Sequence, residues 1–203
     1  MKKELNVLAN KVLKLDIGCG NNKVWGGIGI DELKTRDVDI ISNIEVDLPF
    51  KDMVFNEVYM NHVLEHVDDI FKVLEEVHRV LKGGGKVYIR VPCFSHPQAL
   101  THPQHKHAFH HDSLLAVTEK SNEPYTVRKF KMLKNEYVFK YRRLLIFPKL
   151  VLNKLSNKYK NAYLSIAYLF PADEVYFILE KCEKNSYSKN SSLPNSGRCH
   201  HES

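Results

Sequence analysis

Hydrophobic and polar positions along the first half of the chain switch repeatedly between two periods. Val12 to Ile17 (VLKLDI) is a short apolar run ending in Gly-Cys-Gly, which predicts a strand that closes on a tight turn. Gly26 to Asp31 predicts a second strand ending on an acid. A third is predicted within Val38 to Ile44, a fourth over about Val54 to Met60, and a fifth, of buried character, over Lys86 to Pro92 (KVYIRVP). Between the last two, Ile70, Val73, Leu74, Val77 and Leu81 follow the i, i+3, i+4, i+7 stripe of an amphipathic helix, with Lys72, Glu75, Glu76, His78 and Arg79 on much of the remainder. Asp68 or Asp69 can cap its start, and Gly83-Gly84-Gly85 can take the left-handed conformation that ends it.

The second half is less regular. Ser113 to Val117 reads as a helix start, and Arg128 to Tyr141 and Asp173 to Lys181 read as strands. From Leu144 to Leu155 apolar residues accompany Arg142, Arg143, Lys149 and Lys154, and Pro148 is expected to break any single helix there. That stretch has three readings: a cover over the substrate site, a contact between two copies, or a segment resting on an anionic membrane. Strands alternating with helices imply a mostly parallel sheet, covered on both faces, with ligands bound outside the carboxyl ends of its strands.

Length and composition narrow the class. The chain has 203 residues, 43% hydrophobic and 27% charged, enough for one well-filled domain and short for two. Its longest uncharged apolar stretch, Ala162 to Ala172, falls short of the roughly 20 residues that span a bilayer. Lys2, Lys3, Glu4, Lys11 and Lys14 interrupt the start, so a cytoplasmic protein is expected. Cys19, Cys93, Cys182 and Cys199 form no C-x-x-C pair and read as reduced thiols. The expected organisation is one domain over 1–185, with substrate-side loops and helices in 96–170, followed by a Ser-, Asn- and Lys-rich tail over 186–203 that cannot bury a core. The net charge of +6 is concentrated between Lys120 and Lys160. That stretch reads either as a solvated face or as a docking surface for an anionic partner such as a phosphorylated substrate, a membrane or RNA.

Candidate chemistry gathers at the predicted strand ends. In Leu15-Asp16-Ile17-Gly18-Cys19-Gly20 the two glycines let the backbone pass close beneath a ligand. A dinucleotide fingerprint wants a third glycine at 23, where Lys23 stands. Asp16 suits a ligand carrying an ammonium group. Asp31 can accept both hydroxyls of a ribose or serve as a plain strand-end acid. Asp47-Leu48-Pro49-Phe50 can offer an acceptor and apolar surface to a flat ring, or form a turn. Asn61-His62-Val63-Leu64-Glu65-His66 follows the fourth strand at the same sheet edge.

LDIGCG (15–20), GID (29–31), DLPF (47–50), NHVLEH (61–66) and HRVLKGGGKVYIRVP (78–92), in this order, resemble the class I S-adenosylmethionine-dependent methyltransferases of the type 11 group. The resemblance implies an α/β, Rossmann-like three-layer sandwich with a mostly parallel seven-stranded sheet. It implies S-adenosylmethionine as cofactor, S-adenosylhomocysteine as product and a small-molecule acceptor, with RNA methylation or a non-catalytic cofactor-binding role as alternatives. Carried across, Asp16, Gly18, Cys19 and Gly20 face the methionine part, Asp31 holds the ribose, Asp47 and Leu48 address adenine, and Asn61 and His62 lie along the methionyl edge. The chain departs from the pattern in one place: Asn21 to Gly27 leave no room for a full crossover with its helix, which takes roughly ten or more residues, so that helix is expected to be shortened.

Between His96 and Ser113 the chain is rich in proline and histidine, and this loop, with Phe170-Pro171-Ala172-Asp173-Glu174, resembles a bacterial and archaeal subset of the family linked to glycan or lipid biosynthesis. The histidines can pin the loop, handle a substrate proton or bind a metal. Magnesium prefers oxygen ligands, and no metal is assigned from the sequence. His62 and His105 are the candidates for proton handling. The transfer itself is an in-line displacement that needs alignment and water exclusion more than a dedicated base.

Overall fold

The computed structural model describes residues 12–121, Thr126, 129–140 and 146–182. The 186–203 tail, Arg128, Arg142 and Arg143 lie outside the described residues. Seven strands, β1 (Lys14–Ile17), β2 (Ile28–Asp31), β3 (Ile40–Ile41), β4 (Phe55–Asn61), β5 (Leu81–Pro92), β6 (Phe130–Val138) and β7 (Glu174–Lys181), form one sheet in the order β3-β2-β1-β4-β5-β7-β6. β1 to β5 pair in parallel, whereas β7 runs antiparallel between β5 and β6. This is the Rossmann-like α/β arrangement expected from the sequence.

The period-2 pattern decides which face is buried. Register places Leu15 beside Val58 and Val87, and Ile17 beside Met60 and Ile89, with Phe177 and Leu179 continuing the rows on β7. All of these are fully buried. The helix α1 (Ile70–Val80) adds Val73, Leu74, Val77 and Val80 to that core. Asp69 caps it by accepting the Lys72 N–H at 3.0 Å. The opposite face carries Glu57, Tyr59, Tyr88, Arg90 and Tyr176, with Tyr59 stacked on Tyr88 at 4.8 Å and Arg90 over the Tyr176 ring.

Residues 18–27 contain turns and no helix, closed by Asn22 N–H on Cys19 O and Gly27 N–H on Val24 O, both at 3.0 Å. The shortened first crossover is therefore present in its extreme form. Two other expectations change. Gly83 to Gly85 do not cap α1, which ends one residue earlier at extended Leu81; they lie within β5, where the register jumps between the Phe55–Leu81 and Glu57–Lys86 pairs and Gly84 takes φ +70°. Pro148 does not break the described part of the basic and apolar stretch. It falls in the first turn of α3 (Ile146–Lys158), where its missing N–H has no helical partner to lose. Here α2 (Pro97–Thr101) follows β5, and α4 (Lys160–Leu164) follows α3. Among the described residues no helix is long and apolar enough to cross a membrane.

Candidate functional site

The site lies at the carboxyl ends of β1, β2 and β4, where the chain order reverses and loops splay apart. Gly18 and Gly20 have φ of +65° and +51°. The Gly18 and Cys19 N–H groups both donate to Ile30 O, at 2.8 and 3.2 Å, which ties the turn to β2. A Cβ on Gly18 would stand 2.5 Å from Val63 Cγ2, so only glycine fits between the turn and Val63, just after β4.

Asp31 is held from both sides. Its Oδ2 accepts the Gly20 N–H and its Oδ1 the Leu33 N–H, each at 3.0 Å. Each carboxylate oxygen can accept a further bond, so Asp31 is oriented and still able to bind a diol. Asp16 is buried, and its Oδ2 accepts the Val24 N–H at 2.7 Å. Burial pushes its carboxyl up, with Val24 and Lys23 working the other way. Asp16 thus braces the abbreviated crossover. The buried Cys19 thiol is pushed up as well, first by burial and then by Asp16 and Asp31, which leaves it unreactive. Cys19 and Cys93 are buried free thiols.

A cavity of about 570 Å³ opens above the turn, a size suited to a small molecule. Gly18, Asp31, Asn43, Ile44, His62 and Val63 are among the residues that line it. Asp47 and Leu48 are not. Leu48 is buried in the core, its N–H donating to Glu76 Oε2 (3.1 Å) and its carbonyl accepting from Arg79 Nη2 (3.0 Å). Its apolar side chain was readable as ring surface, but the core takes it. The cavity wall expected from 47–48 comes instead from 42–45, directly after β3. Asn61 is exposed at the end of β4, next to His62.

His62 has φ +57°, uncommon for a residue with a side chain. Its Nδ1 lies 3.2 Å from Glu65 Oε1 and its Nε2 2.7 Å from Glu174 Oε1. Both carboxylates are buried. Glu174 and Glu65 together raise the imidazole to about 9. His62 is therefore a cation at neutral pH, with both nitrogens donating, which suits fixed charge and hydrogen-bond donation better than proton abstraction.

A second cavity, of about 380 Å³, shares His62, His66 and Gln104 with the first and is lined by His96, His102, His105, Lys140 and the carboxylates Glu65, Asp173 and Glu174. Several loop histidines are pinned: His96 caps α2, His107 Nε2 donates to Val67 O at 2.9 Å, and His111 bonds the Tyr137 hydroxyl at 2.8 Å. His105 differs, because burial pushes its ring down and its Nδ1 is buried without a partner among the described residues. Four lysines of the basic stretch are spent internally: Lys129 donates to Ala116 O, Lys140 to Glu174 and Lys160 to Asn135, while Lys134 pairs with Glu136.

Residues 15–89 match the family model described as a methyltransferase domain. Over these residues the chain carries a type 11 methyltransferase domain. It is 35% identical over 104 residues to an uncharacterised protein of Methanocaldococcus jannaschii, covering 44% of this chain and 51% of that one. It is 36% identical over 77 residues to the demethylmenaquinone methyltransferase of Bacillus mycoides, covering 38% and 32%. The aligned part thus spans from about a third to half of the relatives' own lengths. A solved S-adenosylmethionine-dependent methyltransferase from Archaeoglobus fulgidus shares the fold at a TM-score of 0.58 and 19% identity, over 89% of this chain and 90% of that one. The methyltransferase domain implies S-adenosylmethionine as cofactor, and the glycine turn that a Cβ would obstruct, with the tethered Asp31 above it, fits that group.

Proposed function

We propose that the protein transfers the methyl group of S-adenosylmethionine to an oxygen or nitrogen of a small polar molecule. The observation that carries this reading is Asp31, clamped by two backbone donors at the rim of the 570 Å³ cavity, directly over the Gly18–Gly20 turn. Asp31 would hold the ribose diol, Gly18 would let the backbone approach, and Ile44 and Val63 would supply apolar wall to the adenosine. When bound, the cofactor supplies an activated methyl on a sulfonium centre. The chain's part is to align the acceptor with it and keep water out.

The second cavity supports an acceptor site, because it adjoins the first across His62 and His66. Its histidines and carboxylates favour a hydroxylated acceptor, such as a glycan or lipid precursor, over an apolar quinone of the kind that the Bacillus relative's name implies. His62 and His105, the residues expected to handle protons, both face it. An RNA acceptor finds less support, since Lys129, Lys134, Lys140 and Lys160 are bound to neighbours within the chain.

Calorimetric titration with S-adenosylmethionine and S-adenosylhomocysteine tests the reading. Wild type should bind both, and Asp31→Ala should weaken binding by about 1.5–3 kcal/mol, the scale of hydrogen bonds to a charged group. No binding by folded wild type would overturn it and leave an interaction role.

A further inference from the structure

Glu65, His66 and His105 converge where the two cavities meet. One carboxylate oxygen and one nitrogen from each ring lie within 4.8 Å of one another. Glu65 is completely buried; its Oε1 is taken by His62, but its Oε2 has no hydrogen-bond partner among the described residues. His105 Nδ1 is buried and equally unpartnered. Interior polar atoms are rarely left so, and an orphaned carboxylate oxygen beside an orphaned imidazole nitrogen marks a place for something that accepts electron pairs from both.

The outer sides of the rings are arranged to match. His66 Nδ1 donates to Gln104 O at 3.2 Å, leaving Nε2 for the cluster. The Ala99 backbone offers His105 an acceptor, leaving its Nδ1. Metal-binding histidines are held in this manner, the outer nitrogen donating to a carbonyl so that the inner lone pair is fixed. The fixed cations nearby are committed elsewhere: Lys140 and Arg90 to Glu174, and His62 to the other Glu65 oxygen.

We propose that Glu65, His66 and His105 bind a divalent transition-metal ion, with zinc the best match. Two imidazoles and one carboxylate form a three-ligand zinc set that leaves a fourth position open. Magnesium and calcium would want more oxygen. Ligand atoms in a tetrahedral site stand roughly 3.4 Å apart, given bonds of about 2.0–2.1 Å, so closure from the present spread is a movement of about an ångström or slightly more. The open position would face the 380 Å³ cavity, where it could take a substrate oxygen. A second triad, His110, His111 and Asp112, is also compact, but its members already bond to one another and to Tyr137. It serves as a control.

The site stands independently of methyl transfer, and its test does not read activity. The full chain is stripped with EDTA and titrated with zinc against a chromophoric chelator, and with Co²⁺ for the visible absorption of a four-coordinate ion. One equivalent should bind, weakened at least ~100-fold in Glu65→Gln, His66→Ala and His105→Ala, and unaltered in His110→Ala. Circular dichroism checks each variant's fold, and if buried Glu65→Gln fails to fold, the two histidine variants decide. No zinc uptake by stripped wild type, uptake that persists in His66→Ala and His105→Ala, or loss in a control variant would overturn the proposal. Binding of S-adenosylhomocysteine by the same stripped wild type is measured separately, so the cofactor reading and the metal site can fail independently.

Discussion

His62, at the end of β4, and Glu174, at the start of β7, are joined by a 2.7 Å hydrogen bond between residues 112 positions apart in the chain. The bond links the parallel part of the sheet to its antiparallel part at the 380 Å³ cavity. Lys140 bonds the same carboxylate, Arg90 stands 3.6 Å away, and neighbouring Asp173 faces His96.

This cluster sets a pH dependence. Burial works to raise the Glu174 carboxyl, but His62 and Lys140 hold it down at about 2. A carboxyl lower in the folded than in the unfolded chain, where Glu titrates near ~4.3, stabilises the fold above that value and loses the contribution as pH falls towards 2. The shift corresponds to roughly 3 kcal/mol as an order of magnitude. Glu174→Gln should therefore lower the melting temperature at pH 7, and its deficit against wild type should narrow between about pH 5 and pH 3. A deficit constant across that range would show that Glu174 acts through packing alone.

Gly18→Ala should cost both stability and cofactor binding. The position has φ +65°, and an added Cβ would meet Val63 Cγ2 at 2.5 Å. Left-handed strain with overpacking suggests about 2–4 kcal/mol in thermal or urea unfolding, together with loss of S-adenosylhomocysteine binding in calorimetry. Trimming Val63 to Ala in the same chain relieves the clash but not the backbone strain, so rescue should be partial. Complete rescue would show that φ is not the constraint.

The wall above the turn gives a contrasting pair. Ile44 lines the cavity and Asp47 does not. Ile44→Ala should weaken S-adenosylhomocysteine by about tenfold, the worth of a partly buried aliphatic side chain, whereas Asp47→Ala should leave affinity within about twofold. The reverse result would return the adenine-facing role to Asp47.

The strands and α1 were legible because a run such as VLKLDI or the Ile70–Leu81 stripe carries its own period, and the place of Asp31 at the end of β2 because a strand-end acid is local. The structure puts the Leu48 side chain in the core for a reason local sequence cannot reveal. An apolar residue after an acid serves equally as ring surface or as core, and its partners Glu76 and Arg79 come from the far end of α1. Gly83 to Gly85 fit either a helix cap or a bulge, and pairing with Phe55 and Glu57 decides between them. The meeting of Glu65 with His105 was hidden similarly, since one follows β4 and the other lies in the loop after α2. The histidine-rich loop drew attention to itself. The buried carboxylate that gives it a partner did not.

Arg79 provides the last test, because one side chain secures the segment on which Leu48 sits. Its guanidinium bonds Glu76 and Asp52 and donates to the carbonyls of Phe50 (2.8 Å) and Leu48 (3.0 Å). Glu76 and then Asp52 push its proton affinity up further, so it is charged under all working conditions. Arg79→Ala removes a donor from each of two carbonyls and breaks the ion pair with Glu76, which should cost about 2–4 kcal/mol in urea unfolding. Arg79→Lys should recover only part of this, since an ammonium cannot span both carbonyls and a carboxylate in one plane. If lysine restored full stability, the charge alone would suffice. If it restores little, the planar fork is what holds the 48–52 segment against the end of α1.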